Sequence, residues 1–205
     1  MFKTIRTQLG ALVIALAFGF AMTTAQAEEH PAQVMVEEAI TAMLMVFKEE
    51  GDRLKAEPEY LQAKVDELIV PSLDFVTMTR LAVSKFWNRA DAQQQEQLVT
   101  EFRTLLLNAY TNALTEYSGE TFEFEPFRAG KRDDRAQVRS SFIPSVGDSV
   151  PVIYKLRDKG GWSIYDIEVN DVSLVIGYRS AFSSEIEKGG IDGLIKLLKE
   201  RNGTS

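Results

Sequence analysis

The hydrophobic period of this chain changes near residue 119, from about 3.6 to 2, and that switch limits the fold more than any other feature. Before it, the sequence reads as helices. Val36, Ile40, Met43, Phe47 and Leu54 recur at three-, four- or seven-residue spacing, which predicts an amphipathic helix over residues 32–56. Pro58 suits the first turn of a short second helix with the stripe Leu61, Val65, Leu68 and Ile69. A third helix is predicted over 73–87. The fourth begins behind Asp91, an N-cap with Gln94 three residues on, and carries Leu98, Phe102, Leu106 and Tyr110 up to residue 117. Gly119 then stops it.

Beyond Gly119, segments 121–128, 136–143, 150–157, 162–169 and 172–176 alternate or are rich in β-branched and aromatic residues. Short turn-forming stretches separate them, among them Asp158-Lys159-Gly160-Gly161 and Asn170-Asp171. Strands joined so tightly must run antiparallel. Helix returns over 183–188 and 191–200, broken at Gly189-Gly190. No repeat or interdomain linker interrupts this order. The expectation is one α+β domain, with helices gathered against an antiparallel sheet of about four to five strands.

The first 27 residues stand outside that domain. Lys3 and Arg6 precede an apolar run over 9–22, and Ala25-Gln26-Ala27 is a small-x-small cleavage site, the pattern of a secretory signal peptide. The remaining domain, 28–205, has 21 basic and 30 acidic groups, net −9, and no cysteine. An exported chain of this size without disulfides must hold together by burial. The acidic balance disfavours nucleic acid, where affinity comes from Lys and Arg on phosphates. It also disfavours stable insertion in or adhesion to an anionic membrane.

Catalytic chemistry has few candidates. The single histidine, His30, sits near the start of the mature chain, on an end expected to be loose. No triad or His-rich metal site can be assembled from it, and no metal is expected. Asp166 and Glu168 are two apart on a predicted strand and so share a face. They are either a carboxylate pair with chemistry or a solvated strand end running into the Asn170-Asp171 turn. Aromatic residues are plentiful on the same elements, Phe102, Tyr110, Tyr154 and Trp162 among them. Composition alone does not separate a filled core from one with a hollow.

The segment Trp162-Ser163-Ile164-Tyr165-Asp166-Ile167-Glu168-Val169-Asn170-Asp171-Val172-Ser173-Leu174-Val175 resembles the strand pair of MlaC-type proteins, also called toluene-tolerance or Ttg2-type proteins. Tyr178-Arg179-Ser180-x-Phe182 and Gly189-Gly190-Ile191-Asp192-Gly193-Leu194-Ile195-x-x-Leu198-Lys199 continue the likeness in order. Upstream, Asp74-Phe75-x-x-Met78-Thr79-Arg80-Leu81-Ala82-x-x-Lys85-Phe86-Trp87 is similar to that family's helical motif, so the likeness spans roughly 34 to 200. It implies a twisted antiparallel sheet wrapped by helices around a deep apolar cavity. The implied function is that of a soluble periplasmic phospholipid carrier of the Mla pathway, which maintains outer-membrane lipid asymmetry. The lipid is cargo rather than cofactor. The implied partners are an outer-membrane lipoprotein–porin complex and an inner-membrane ABC transporter with an MCE-domain subunit. No enzymatic activity is implied.

Periodicity then nominates the cavity wall. Val152 and Tyr154 share a strand face, Val172 and Leu174 share another, and Phe102, Leu106 and Tyr110 lie on a helix that must face the sheet. Tyr110, Val152, Tyr154 and Val172 are the first of these candidates. Arg179 is either a headgroup contact at the mouth or a surface salt bridge. Two other classes remain open: an enzyme on a similar α+β cone using the Asp166/Glu168 face, and a periplasmic chaperone or adaptor that binds protein.

Overall fold

The computed structural model describes residues 29–203, so the predicted signal peptide lies outside the described residues. The first helix, α1 (Pro31–Ala56), opens on a proline whose missing N–H costs nothing at that position. His30 Nδ1 accepts the Ala32 amide at 3.2 Å. The His30 ring stacks on Phe127 with centroids 3.9 Å apart and meets the Trp162 ring edge-on at 5.1 Å. This corrects the expectation of a loose end there: His30 caps a helix and ties it to the sheet. The α1 stripe buries Val36, Met43, Phe47 and Leu54, and the helix kinks at Glu50 (φ −129°).

Pro58 starts α2 (Pro58–Leu68), which buries Leu61 and Val65. Asp74 caps α3 (Phe75–Val83), taking the Thr77 amide at 2.9 Å and the Thr77 hydroxyl at 2.6 Å. The third helix does not run on to residue 87 as the spacing predicts. Ser84 has φ +56°, a conformation no α-helix contains, and Ser84–Arg89 continues as a 3-10 turn. In α4 (Ala92–Leu114) the capping box forms reciprocally: Gln94 N–H donates to Asp91 at 2.8 Å and Asp91 N–H to Gln94 at 3.1 Å.

Five antiparallel strands follow in simple meander order: β1 (Thr121–Phe124), β2 (Arg135–Ile143), β3 (Val150–Asp158), β4 (Trp162–Val169) and β5 (Val172–Ser173). The first strand is shorter than predicted. The Glu125 amide still reaches Arg139 O at 3.0 Å, but Pro126 has no N–H with which to continue. Asn170 and Asp171 take φ +50° and +62° and make the tight β4–β5 turn. Between β3 and β4 the register slips at Lys155/Leu156, so that Tyr165 is the extra residue of a bulge. The chain closes with α5 (Arg179–Asn202), which is interrupted where predicted: Gly190 has φ +71°, ψ −174°, open in practice only to glycine.

One sheet face carries Val138, Val152, Tyr154, Leu156 and Ile164 into the main core. Phe75 and Met78 of α3, Leu98, Phe102 and Leu106 of α4, and Leu194 and Leu198 of α5 complete it. A second, smaller core lies between α1 and α2 and is built on Met43, Phe47, Leu54, Leu61 and Val65. Leu107 of α4 packs against both. The fold is α+β, as the change of period predicts.

Candidate functional site

Where the two cores meet, the side chains leave a pocket of about 180 Å³. Val65 and Ile69 bring the end of α2 to it, and Phe75 and Met78 the start of α3. Helix α4 contributes Leu106, Leu107, Tyr110, Thr111 and Leu114. Ile167 of β4, with Leu174 and Val175 beyond β5, forms the opposite wall. Thr111 and the Tyr110 hydroxyl are the wall's polar side chains. Tyr110 lines the pocket yet is 41% exposed, which puts it at the mouth. Burial and the neighbouring Tyr178 hydroxyl push its pKa up to about 12, so the phenol is neutral across the physiological range. Val172 and Ile176, flanking the Leu174–Val175 wall in the chain, are exposed hydrophobic side chains. A wider depression of about 950 Å³ runs along residues 41–55 and 117–121. Lys48, Glu49, Asp52 and Arg53 line it, so it suits water and ions, whereas the narrower pocket suits hydrocarbon.

The structure brings Leu106, Tyr110 and Leu174 together in this wall. It puts Phe102, Val152 and Tyr154 within the main core instead. Phe102 is fully buried and meets Tyr178 and Phe182 edge-to-face, with centroids at 5.2 Å. Val172 is 61% exposed. Arg179 is absent from the apolar wall: Nε and Nη2 both donate to the Leu81 carbonyl, at 3.1 and 3.0 Å. It lines a different, arginine-rich depression. Sequence reasoning missed Val65, Ile69, Leu107 and Ile167. Val65 and Ile69 lie on the predicted α2 stripe and Ile167 on a predicted strand, whereas Leu107 lies beside the predicted α4 stripe; which stripe meets which strand is set by tertiary packing.

Asp166 and Glu168 do share a face, and it is neither a solvated edge nor an open cleft. Asp166 is 1% exposed. Its Oδ1 accepts the Ser173 hydroxyl at 2.7 Å, and Lys155 Nζ lies 3.4 Å from Oδ2 while also bonding Glu168. Burial acts to lower the Lys155 pKa, but the Glu168 bond and the two negative charges outweigh it and hold the ammonium above its ordinary value. Ser173 in turn accepts the Ile176 amide at 2.9 Å. The carboxylates thus anchor β5 and the turn after it. Among the described residues no helix is long and apolar enough to cross a membrane, and no three metal-ligating side chains converge.

The model of the MlaC protein family matches residues 37–200, and the chain belongs to that family. Two relatives show how far the likeness extends. A toluene tolerance protein, ttg2D, from Pseudomonas putida is 25% identical over 187 residues, covering 89% of this chain and 84% of the relative. The intermembrane phospholipid transport system binding protein MlaC of Haemophilus influenzae (strain Rd) is 23% identical over 181 residues, covering 86% and 84%. Among solved structures, a phospholipid-binding protein from Ralstonia solanacearum, in complex with a phospholipid, superposes with a TM-score of 0.77. It is 33% identical, and the match covers 85% of this chain and 98% of that one.

Proposed function

We propose that this chain is a periplasmic phospholipid carrier, a single domain over 28–205 released from its signal peptide, which shuttles lipid between outer- and inner-membrane complexes and so helps keep the outer membrane asymmetric. The observation that carries the reading is the pocket between α2, α4 and the β4–β5 corner, whose wall is almost wholly apolar. The phospholipid-bound relative of the same fold supports it. Acyl chains enter past Tyr110 and lie against Leu106, Leu107, Ile167 and Leu174, with the headgroup left at the mouth.

A 150 Å³ apolar cavity takes a molecule the size of benzene, so about 180 Å³ holds only the end of an acyl chain until the walls separate. The wall is built for separation because it lies on the seam between two cores rather than inside one. Across it, α2 is tied to α4 by the Asp66–Arg103 ion pair at 2.6 Å, with both side chains about 40% exposed. Such pairs contribute at most about 1 kcal/mol. Moving about 30 methylenes out of water is worth roughly 25 kcal/mol at 0.8 kcal/mol each, ample to drive the seam open. The same figure forbids release into water, so unloading belongs to a docked complex.

The test is transfer of a fluorescent phospholipid between two vesicle populations. The purified chain should speed transfer, and Leu174→Trp, which fills the pocket, should cut the rate several-fold with the fold intact. Transfer no faster than the spontaneous rate contradicts the reading.

A further inference from the structure

Two depressions away from the apolar pocket share Arg135 and Tyr165 as common walls. One, of about 490 Å³, follows the β1–β2 connection and is lined by Arg128, Lys131, Arg132 and Arg139. The other, of about 550 Å³, lies between α3, the 3-10 turn after it and the sheet, and adds Arg80, Arg157 and Arg179. Neither wall contains an Asp or Glu. Seven of the eleven arginines in residues 29–203 therefore line a groove made of these two adjoining depressions, on a chain whose mature net charge is −9.

The fold neutralises them only in part. Arg135 and Arg157 are directly opposed across β2–β3, an arrangement of like charges that costs stability. Asp134 takes two bonds from Arg132 at 2.8 Å and stands 3.5 Å from Arg135, and Glu125 is 4.0 Å from Arg128. Among the described residues, Arg80, Lys131, Arg139, Arg157 and Arg179 have no ion pair. Arg157 gives Nη1 to the Thr77 hydroxyl at 3.1 Å, but its buried Nε has no acceptor. The Arg135 guanidinium lies 5.6 Å from the centre of the Tyr165 ring, the bulge residue that turns this aromatic face into the groove.

We propose that this groove docks an extended acidic segment of a protein partner, whose Asp or Glu carboxylates are taken by the guanidinium forks. Arginine presents two parallel N–H donors that match a carboxylate, which a lysine surface does not. The groove is recessed, so a flat bilayer does not reach its floor, and the rest of the acidic chain opposes an anionic membrane. A thin segment carrying several carboxylates both enters and neutralises it. The groove shares no wall residue with the apolar pocket, and its test reads peptide rather than lipid, so its failure leaves lipid carriage untouched.

The probe is a fluorescein-labelled peptide of eight alternating aspartate and serine residues, followed by fluorescence polarisation with the full mature chain at low salt. The expected result is saturable binding that salt of about 0.5 M abolishes. The Arg80→Glu/Arg139→Glu double variant should weaken it by about tenfold or more. Arg157→Lys, which keeps the charge and loses the fork, should weaken it less, and Lys188→Glu on the exposed face of α5 should leave it unchanged. Native circular dichroism of each variant keeps the comparison valid. No saturable binding by the wild type, or equal binding by the double variant, overturns the proposal. So does displacement of the peptide by inorganic phosphate at matching concentration, which marks a generic anion site. Cosedimentation with phosphatidylglycerol vesicles that the double variant loses assigns the groove to membrane, and self-association that it loses assigns it to a second copy. Either result also overturns the proposal.

Discussion

Tyr110 and Tyr154 are both neutral phenols with pKa values pushed up to about 12, yet they report different things. Burial raises Tyr154, which sits in the main core, whereas Tyr110 stands at the pocket mouth beside Tyr178. Because the folded pKa lies above the unfolded value near 10, their contribution to stability is complete below about pH 10 and is lost between about 10 and 12. Absorbance titration of the native protein should show a high-pH ionisation step to which Tyr110 and Tyr154 contribute, and Tyr154→Phe should remove one phenol from that step. Volume tests separate these positions as well. Val152→Trp inserts an indole into a filled core and should destabilise by about 1–3 kcal/mol, whereas Leu174→Trp occupies existing space and should displace lipid at little cost. Urea unfolding beside extraction of copurified lipid distinguishes the two. Asp166 supplies a third test. Its carboxylate is sealed among Lys155 and Ser173, so Asp166→Ala should cost about 2 kcal/mol, read by urea unfolding. A variant as stable as the wild type contradicts the anchoring role.

Helices and strands carry their own signals, and the breaks between them carry the sharpest. Gly190→Ala forces a side chain into φ +71°, ψ −174° and should cost about 1–3 kcal/mol by thermal unfolding. Ser84→Gly should do the reverse, relieving φ +56° for a gain of up to about 1 kcal/mol. The first of these breaks was legible, because a Gly-Gly pair inside a helical stripe announces itself. The second was not: Ser84 is an ordinary residue, and the 3-10 turn it begins keeps enough of the helical spacing to hide. Meander order, the Asn170-Asp171 turn and the Asp91–Gln94 box were also readable, since each depends on residues close in the chain. The pocket was readable only in part. Leu106, Tyr110 and Leu174 follow from their faces, but Val65 and Ile69 lie on a helix whose neighbour is set by tertiary packing. His30 shows the same limit, since its cap and its stack on Phe127 join residues 97 positions apart.

For the molecule as a whole, the proposed function rests on the division into two cores. A single compact core with the same apolar content has no seam to open, whereas here Leu107 touches both cores and a helix of eleven residues, α2, closes one side. On the proposed reading, the acidic net charge of residues 28–205 works against adhesion to anionic bilayers away from a docked complex. Opening should therefore be driven by lipid and reversed by its removal. The most direct measurement is native mass spectrometry of the purified mature chain, with organic extraction of whatever it holds. A sheltered-chain carrier gives a bound mass in the phospholipid range that Leu174→Trp diminishes. A protein that stays at its apo mass after incubation with phospholipid vesicles, with no lipid in the extract, contradicts it.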